Sequence, residues 1–154
     1  MKYSKLIILI ITILLTGCGV QNVIENSKTE SIDNASLRQL GDDAYDDQIW
    51  DDVVKYYTKL VKTSSNDSEL WYRIGNAYNQ LGQTNFAINS YHSALVLDEY
   101  NSKILHNLAV IQLRESIKTF MKLKNNTHLD DPLNIRAKLA ISTVATLLNK
   151  EFRD

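Results

Sequence analysis

The chain has 154 residues, 44% of them hydrophobic and 23% charged, with a formal net charge of −1 at pH 7, a profile that suits one globular domain. Near-neutrality argues against a polybasic nucleic-acid binder, a single cysteine cannot close an internal disulfide, and one proline with five glycines is too little punctuation for an all-β fold. An all-α protein remains.

Lys2 and Lys5 precede an apolar run from Leu6 to Leu15, which at ~1.5 Å per helical residue covers only about 15 Å, half of a bilayer core. Too short to span, residues 1–17 read as a secretory signal peptide. The run ends in Leu15-Thr16-Gly17-Cys18, which resembles the bacterial lipobox. That resemblance implies cleavage before Cys18, diacylation of its thiol and acylation of the new amino terminus, and two or more acyl chains anchor stably where one is marginal. Gly19, where Asp would retain the protein, resembles lipoproteins sent on to the outer membrane of a two-membrane bacterium. In a one-membrane bacterium the same anchor sits on the outer face of the plasma membrane. Residues 18–33 hold the lipidated cysteine and a polar stretch without a sustained apolar stripe, read as a flexible tether.

From Asn34 the sequence keeps a 34-residue period: Leu37 with Trp71, Leu40 with Ile74, Gly41 with Gly75, Val53 with Ala87, Tyr57 with Tyr91, Leu60 with Ala94. A fixed period over this many apolar positions marks a stacked helical repeat. In the second copy, 68–101, Asn66 or Asp67 is expected to cap a first helix whose apolar positions run from Leu70 to Leu81 before Gly82 ends it. Thr84 is expected to cap a second helix with Phe86, Ala87, Tyr91, Ala94, Leu95 and Leu97 as its stripe. Gly75 and Ala87 let the pair approach closely.

These residues resemble the tetratricopeptide repeat family. Trp71-x-x-Ile74-Gly75-x-x-Tyr78, then Gly82, Ala87, Tyr91, Ala94 and Leu97-Asp98 follow its pattern, with Glu99 where a proline is usual. The first copy, 34–67, keeps Leu37, Leu40-Gly41, Trp50, Val53, Tyr57 and Leu60, with Ala44 replacing an aromatic and Gln48 the turn glycine. A degenerate third copy and loop, 102–131, keeps Leu105, Leu108 and Ala109. Its helical part reads equally as one long helix or as a pair bent near Ser116. Asp130 or Asp131 then caps a helix over 132–151 with Pro132 in its first turn. Its stripe is Leu133, Ala137, Ala140, Ile141, Val144, Leu147 and Leu148, and a polar outer face suits it to close the array. The expected fold is all-α, a short array of about 2.5 to 3 helical hairpins with a C-terminal capping helix.

Little chemistry is legible. Asp42, Asp43, Asp46, Asp47, Asp51 and Asp52 form a dense acidic cluster of hard oxygen ligands, without the glycine and glutamate spacing of an EF-hand loop. His92, His106 and His128 lack partners at zinc-ligand spacing. No phosphate loop or nucleophile elbow occurs, so no enzyme activity, cofactor or metal is expected. Trp71, Tyr78, Tyr57 and Tyr91 occupy core positions, whereas Tyr45 and Tyr72 fall off the stripe.

The family resemblance implies that the first helix of each repeat lines a concave groove receiving peptides or partner helices. By repeat register that surface holds Arg38, Asp42 and Tyr45, then Tyr72, Arg73, Asn76 and Asn79, then Lys103, His106, Asn107 and Val110. Such side chains can hydrogen-bond a peptide backbone and carboxylates. Some members grip a terminal carboxylate, an arrangement that Arg38, Arg73, Asn76 and Lys103 echo while Asp42 and Asn107 depart from it. The expected function is a lipid-anchored, non-enzymatic adaptor that binds or assembles an envelope protein or peptide segment, similar in plan to pilus- and secretin-assembly lipoproteins or scaffolds of cell-wall hydrolases. The alternative is a small-ligand or calcium-binding envelope lipoprotein that uses the acidic cluster.

Overall fold

The computed structural model describes residues 33–151, which form helices joined by short turns, with no strand among them. The helices are α1 (33–46), α2 (Trp50–Leu60), α3 (Ser68–Gln80), α4 (Thr84–Leu97), α5 (Ser102–Asn125) and α6 (Pro132–Glu151). The signal, Cys18 and the expected tether up to residue 32 lie outside the described residues, and Asp33 is already helical.

Short polar side chains set three of the helix starts. The Asp67 carboxylate accepts from the Leu70 amide at 3.1 Å, Asn101 from Lys103 and Ile104 at 3.1 and 3.3 Å, and Asp131 from Leu133 at 2.7 Å. Thr84 does not cap α4, contrary to expectation. It is the first helical residue, Gln83 stands at the cap position, and no side chain caps that end. The turn instead ties itself by backbone: Gly82 takes φ +70°, and the Gln83 amide donates to the Tyr78 carbonyl at 2.8 Å. Gln48, at the same place in the first copy, takes φ +59° without being glycine.

Close approach within each hairpin depends on glycine. A Cβ built on Gly75 falls 2.5 Å from Tyr91 Cε1, and one on Gly41 collides likewise with the Tyr57 ring. Both rings are fully buried. Two core clusters result, one of α1 to α3 around Val53, Tyr57, Leu70 and Ile74, the other of α4 and α5 around Ala87, Tyr91, Ile104 and Leu108. Trp71 and Tyr78 pack against both and join them. The helices pack in chain order, α2 on α3, α3 on α4, α4 on α5 and α5 on α6.

Of the two readings of the third copy, the single helix is the one adopted, 24 residues long. No glycine or proline interrupts it, and the Ser116 hydroxyl donates to the Leu113 carbonyl at 2.7 Å inside the helix. The capping helix differs from expectation in its facing. Its seam toward α5 follows Asn134, Ala137, Ile141, Val144 and Leu148, buried or half-buried. That three-four spacing leaves Leu133 and Leu147 off the seam, 48% and 54% exposed. The outer face is consequently apolar as well, with Ile135 at 58% and Leu139 at 67%.

Candidate functional site

Two trios of side chains, 34 residues apart, build the floor of the groove. In the first, the Tyr57 hydroxyl donates to Asp42 Oδ1 at 2.6 Å, and Arg73 Nη1 donates to the same oxygen at 2.8 Å and to the Tyr57 hydroxyl at 3.0 Å. In the second, the Tyr91 hydroxyl donates to Asn76 Oδ1 at 2.8 Å, and Asn107 Nδ2 donates to the same oxygen at 2.9 Å. Asp42, Tyr57 and Arg73 become Asn76, Tyr91 and Asn107 one repeat later. Each tyrosine comes from the second helix of a hairpin and clamps a polar residue of its first helix to the first helix of the next copy. The trio therefore sets both hairpin closure and inter-repeat register, in a charged version and then a neutral one.

Asn76 Nδ2 also donates to the Tyr45 hydroxyl at 2.8 Å, so one amide links all three copies. Burial raises both trio tyrosines above the ordinary phenol value; at Tyr57 the Asp42 carboxylate adds to this while Arg73 opposes it, and at Tyr91 the Asn107 amide opposes it. Tyr45 is raised too, by burial against the pull of Asn76. Burial works against the Arg73 charge, yet hydrogen bonds to Glu69 and Tyr57 and the nearby Asp42 hold its value above normal.

Beside the second trio lies a concavity of about 590 Å³ lined by Tyr45, Trp50, Asn76, Asn79, Gln80, His106, Asn107, Val110 and Arg114. It thus gathers Tyr45, Asn76, Asn79, His106, Asn107 and Val110 of the expected groove set, and leaves out Arg38, Asp42, Tyr72, Arg73 and Lys103. Two of the omitted cations are already engaged. Arg38 Nη2 meets Asp67 Oδ2 at 2.6 Å, and Arg73 pairs with Asp42 and, at 2.9 Å, with Glu69. At Asp67, burial acts to raise the carboxyl, and the Arg38 bond with the Leu70 amide outweighs it and holds the group below its usual range. Tyr72 sits against Tyr91 with centroids 6.2 Å apart, and Lys103 stands exposed at the start of α5.

Trp50, Gln80 and Arg114 also line the concavity and lie outside the expected groove set. Gln80 and Arg114 lie one helical turn beyond Asn76 and Val110 and occupy equivalent repeat positions, a signal the i, i+4 rule contains. Trp50 opens α2 and keeps a repeat-pattern position; it packs against the first core cluster, and its ring also stands edge-on to Tyr45 with centroids 5.6 Å apart and lines the concavity. The lining thus combines the Tyr45 and Trp50 rings, the amides of Asn76, Asn79, Gln80 and Asn107, and the side chains of Val110, Arg114 and His106.

The acidic cluster disperses over several faces. Asp42 belongs to the first trio, Asp43 accepts from Gln39 at 2.8 Å, and Asp52 pairs with Lys55 at 3.0 Å. Among the described residues, no three His, Cys, Asp or Glu side chains come together as metal ligands would, and no helix is long and apolar enough to cross a membrane.

The tetratricopeptide repeat family matches residues 68–101, the span of α3, the Gly82 turn and α4. Comparison with curated proteins finds no match.

Proposed function

The chain carries a tetratricopeptide repeat within an all-α array, and from that premise we propose that it is a non-enzymatic adaptor, held to a bacterial envelope membrane through acylated Cys18, whose groove receives a segment of a partner protein. Tetratricopeptide repeats mediate protein–protein interaction. The observation that carries the reading here is the concavity beside the second trio, lined by the Tyr45 and Trp50 rings, the amides of Asn76, Asn79 and Asn107, and the Val110 and Arg114 side chains. Asn76 and Asn107 hold the register through the trio, and the Asn79 amide offers a donor and an acceptor to a peptide backbone. The rings and Val110 offer apolar contact to a side chain, and Arg114 offers a charge-assisted bond to a carboxylate. Residues 33–101 carry eleven acids against five bases and residues 102–149 seven bases against three acids, so an acidic group of the partner is drawn toward the third copy and away from the first. The anchor and polar tether would place this groove at the membrane surface, where pilus, secretin or cell-wall assemblies are built.

Two measurements test the reading. Val110→Trp fills the groove, and partner recovery from detergent-solubilised envelope should fall at least tenfold with an unchanged melting temperature; undiminished recovery would move the binding surface elsewhere. Cys18→Ser should transfer the protein from the membrane to the soluble fraction. Retention in the membrane after a carbonate wash would refute the anchor while leaving the groove standing.

A further inference from the structure

We propose that copies of this chain associate head to tail, the outer face of α6 in one copy docking on the outer face of α1 in the next. The 34-residue register identifies what the α1 face is shaped to receive. Leu70, Ile74 and Ala77 of the second copy are buried against the first, and Ile104, Leu108 and Ile111 of the third are buried against the second. The equivalent positions in the first copy are Ser36, Leu40 and Asp43. This is the surface that another repeat would cover, and Leu40 is 46% exposed on it. At the far end of the array, Ile135, Leu139 and Leu147 stand 58%, 67% and 54% exposed along α6. Ile135 and Leu139, four residues apart, lie on the side of the helix opposite the seam that packs on α5, and Leu147 stands at its flank.

Charge decides between possible occupants of these faces. Residues 33–101 carry eleven acids against five bases, whereas residues 102–149 carry seven bases against three acids. On α6 the charges from 132 to 149 are Arg136 and Lys138, both exposed beside Leu139; on α1 the exposed Asp43 and Asp47 stand three and seven residues from Leu40. Two α6 faces would bring like charges together. An α6 face on an α1 face brings apolar side chains together with opposite charges around them, which fixes both partner and polarity. The contact joins two different surfaces, so it extends copy by copy and does not stop at a dimer. Each copy keeps its groove, and the assembly displays the grooves in a row.

The test uses the full chain in its membrane with Leu40→Cys and Leu139→Cys combined, crosslinked by mild oxidation. A ladder of dimer, trimer and higher species is expected from the double variant and none from either single variant or from the parent chain. Arg136→Glu with Lys138→Glu should reduce the ladder at least tenfold, and adding Asp43→Lys with Asp47→Lys should restore it. Dimers from Leu139→Cys alone that are linked through position 139 of both copies would mean that two α6 faces meet and would overturn the proposal. So would the absence of a ladder from the double variant when circular dichroism shows it fully helical, or a ladder indifferent to the charge reversal.

Discussion

Gly75→Ala puts the packing account at risk with a single methyl group. In an exposed helix interior this exchange stabilises by ~1 kcal/mol through helix propensity. Here the added Cβ would fall 2.5 Å from Tyr91 Cε1 and 2.6 Å from Cδ1. The ring cannot swing aside, because it is fully buried and its hydroxyl is tied to Asn76 at 2.8 Å. Overpacking costs ~1–3 kcal/mol, and a tethered neighbour puts this site at the upper end. Subtracting the propensity gain leaves a net loss of about 2 kcal/mol, which lowers the melting temperature by roughly 5–10 °C. Thermal melts followed by circular dichroism measure it. In a Tyr91→Leu background the ring edge is gone, and the same glycine substitution should turn stabilising by about 1 kcal/mol, a coupling of ~3 kcal/mol between neighbours. Equal effects in the two backgrounds, or a raised melting temperature in the parent chain, would show that the glycine does not serve the close approach.

Other expectations follow from the turns and the trios. Gln48→Gly should raise stability by about 0.5–1 kcal/mol, since a left-handed conformation costs a side-chain-bearing residue ~1–2 kcal/mol and glycine's unfolded-state entropy returns part of it; a chemical melt showing no gain would locate the strain elsewhere. Tyr57 and Tyr91 have folded values raised above the ordinary ~10. Their share of stability is therefore fully present below about pH 10 and is lost as pH rises through the folded values. The melting temperature should drop steeply above that point, and Tyr57→Phe with Tyr91→Phe should flatten the drop; tyrosinate absorbance showing both titrating normally in the folded protein would contradict this.

The repeat was legible because its most demanding positions are local and chemically extreme. Gly75 and Gly41 leave no room for a Cβ at the close approach, Gly82 suits its left-handed turn best, and the 34-residue offset exposes that turn even where Gln48 takes it in the first copy. The groove was legible only in part. Register assigns a side chain to a face, and Asn76, Asn79 and Asn107 arrived where register put them. It cannot tell which cations are already paired: Arg73 and Asp42 are 31 residues apart in sequence and meet only because two hairpins stack. The same limit holds for Tyr57 and Tyr91: periodicity places their rings in the core, and nothing local in the sequence tells that their hydroxyls bond Asp42 and Asn76. On α6 the apolar residues occupy two sides of the helix, so composition alone could not choose the seam, and Leu133 and Leu147 were placed inward when they face out.

The claim on which the rest depends is that the concave surface beside the Asn76 trio is where a partner binds. A photo-crosslinking amino acid in place of Val110, inside the concavity, and in a second sample in place of Phe86, 58% exposed on α4, compares the two surfaces directly in intact envelopes. The account predicts one discrete adduct from the Val110 position, lost when Asn76→Ala and Asn107→Ala are added, and no adduct from the Phe86 position. An adduct formed only at Phe86, with Val110 silent, would contradict it.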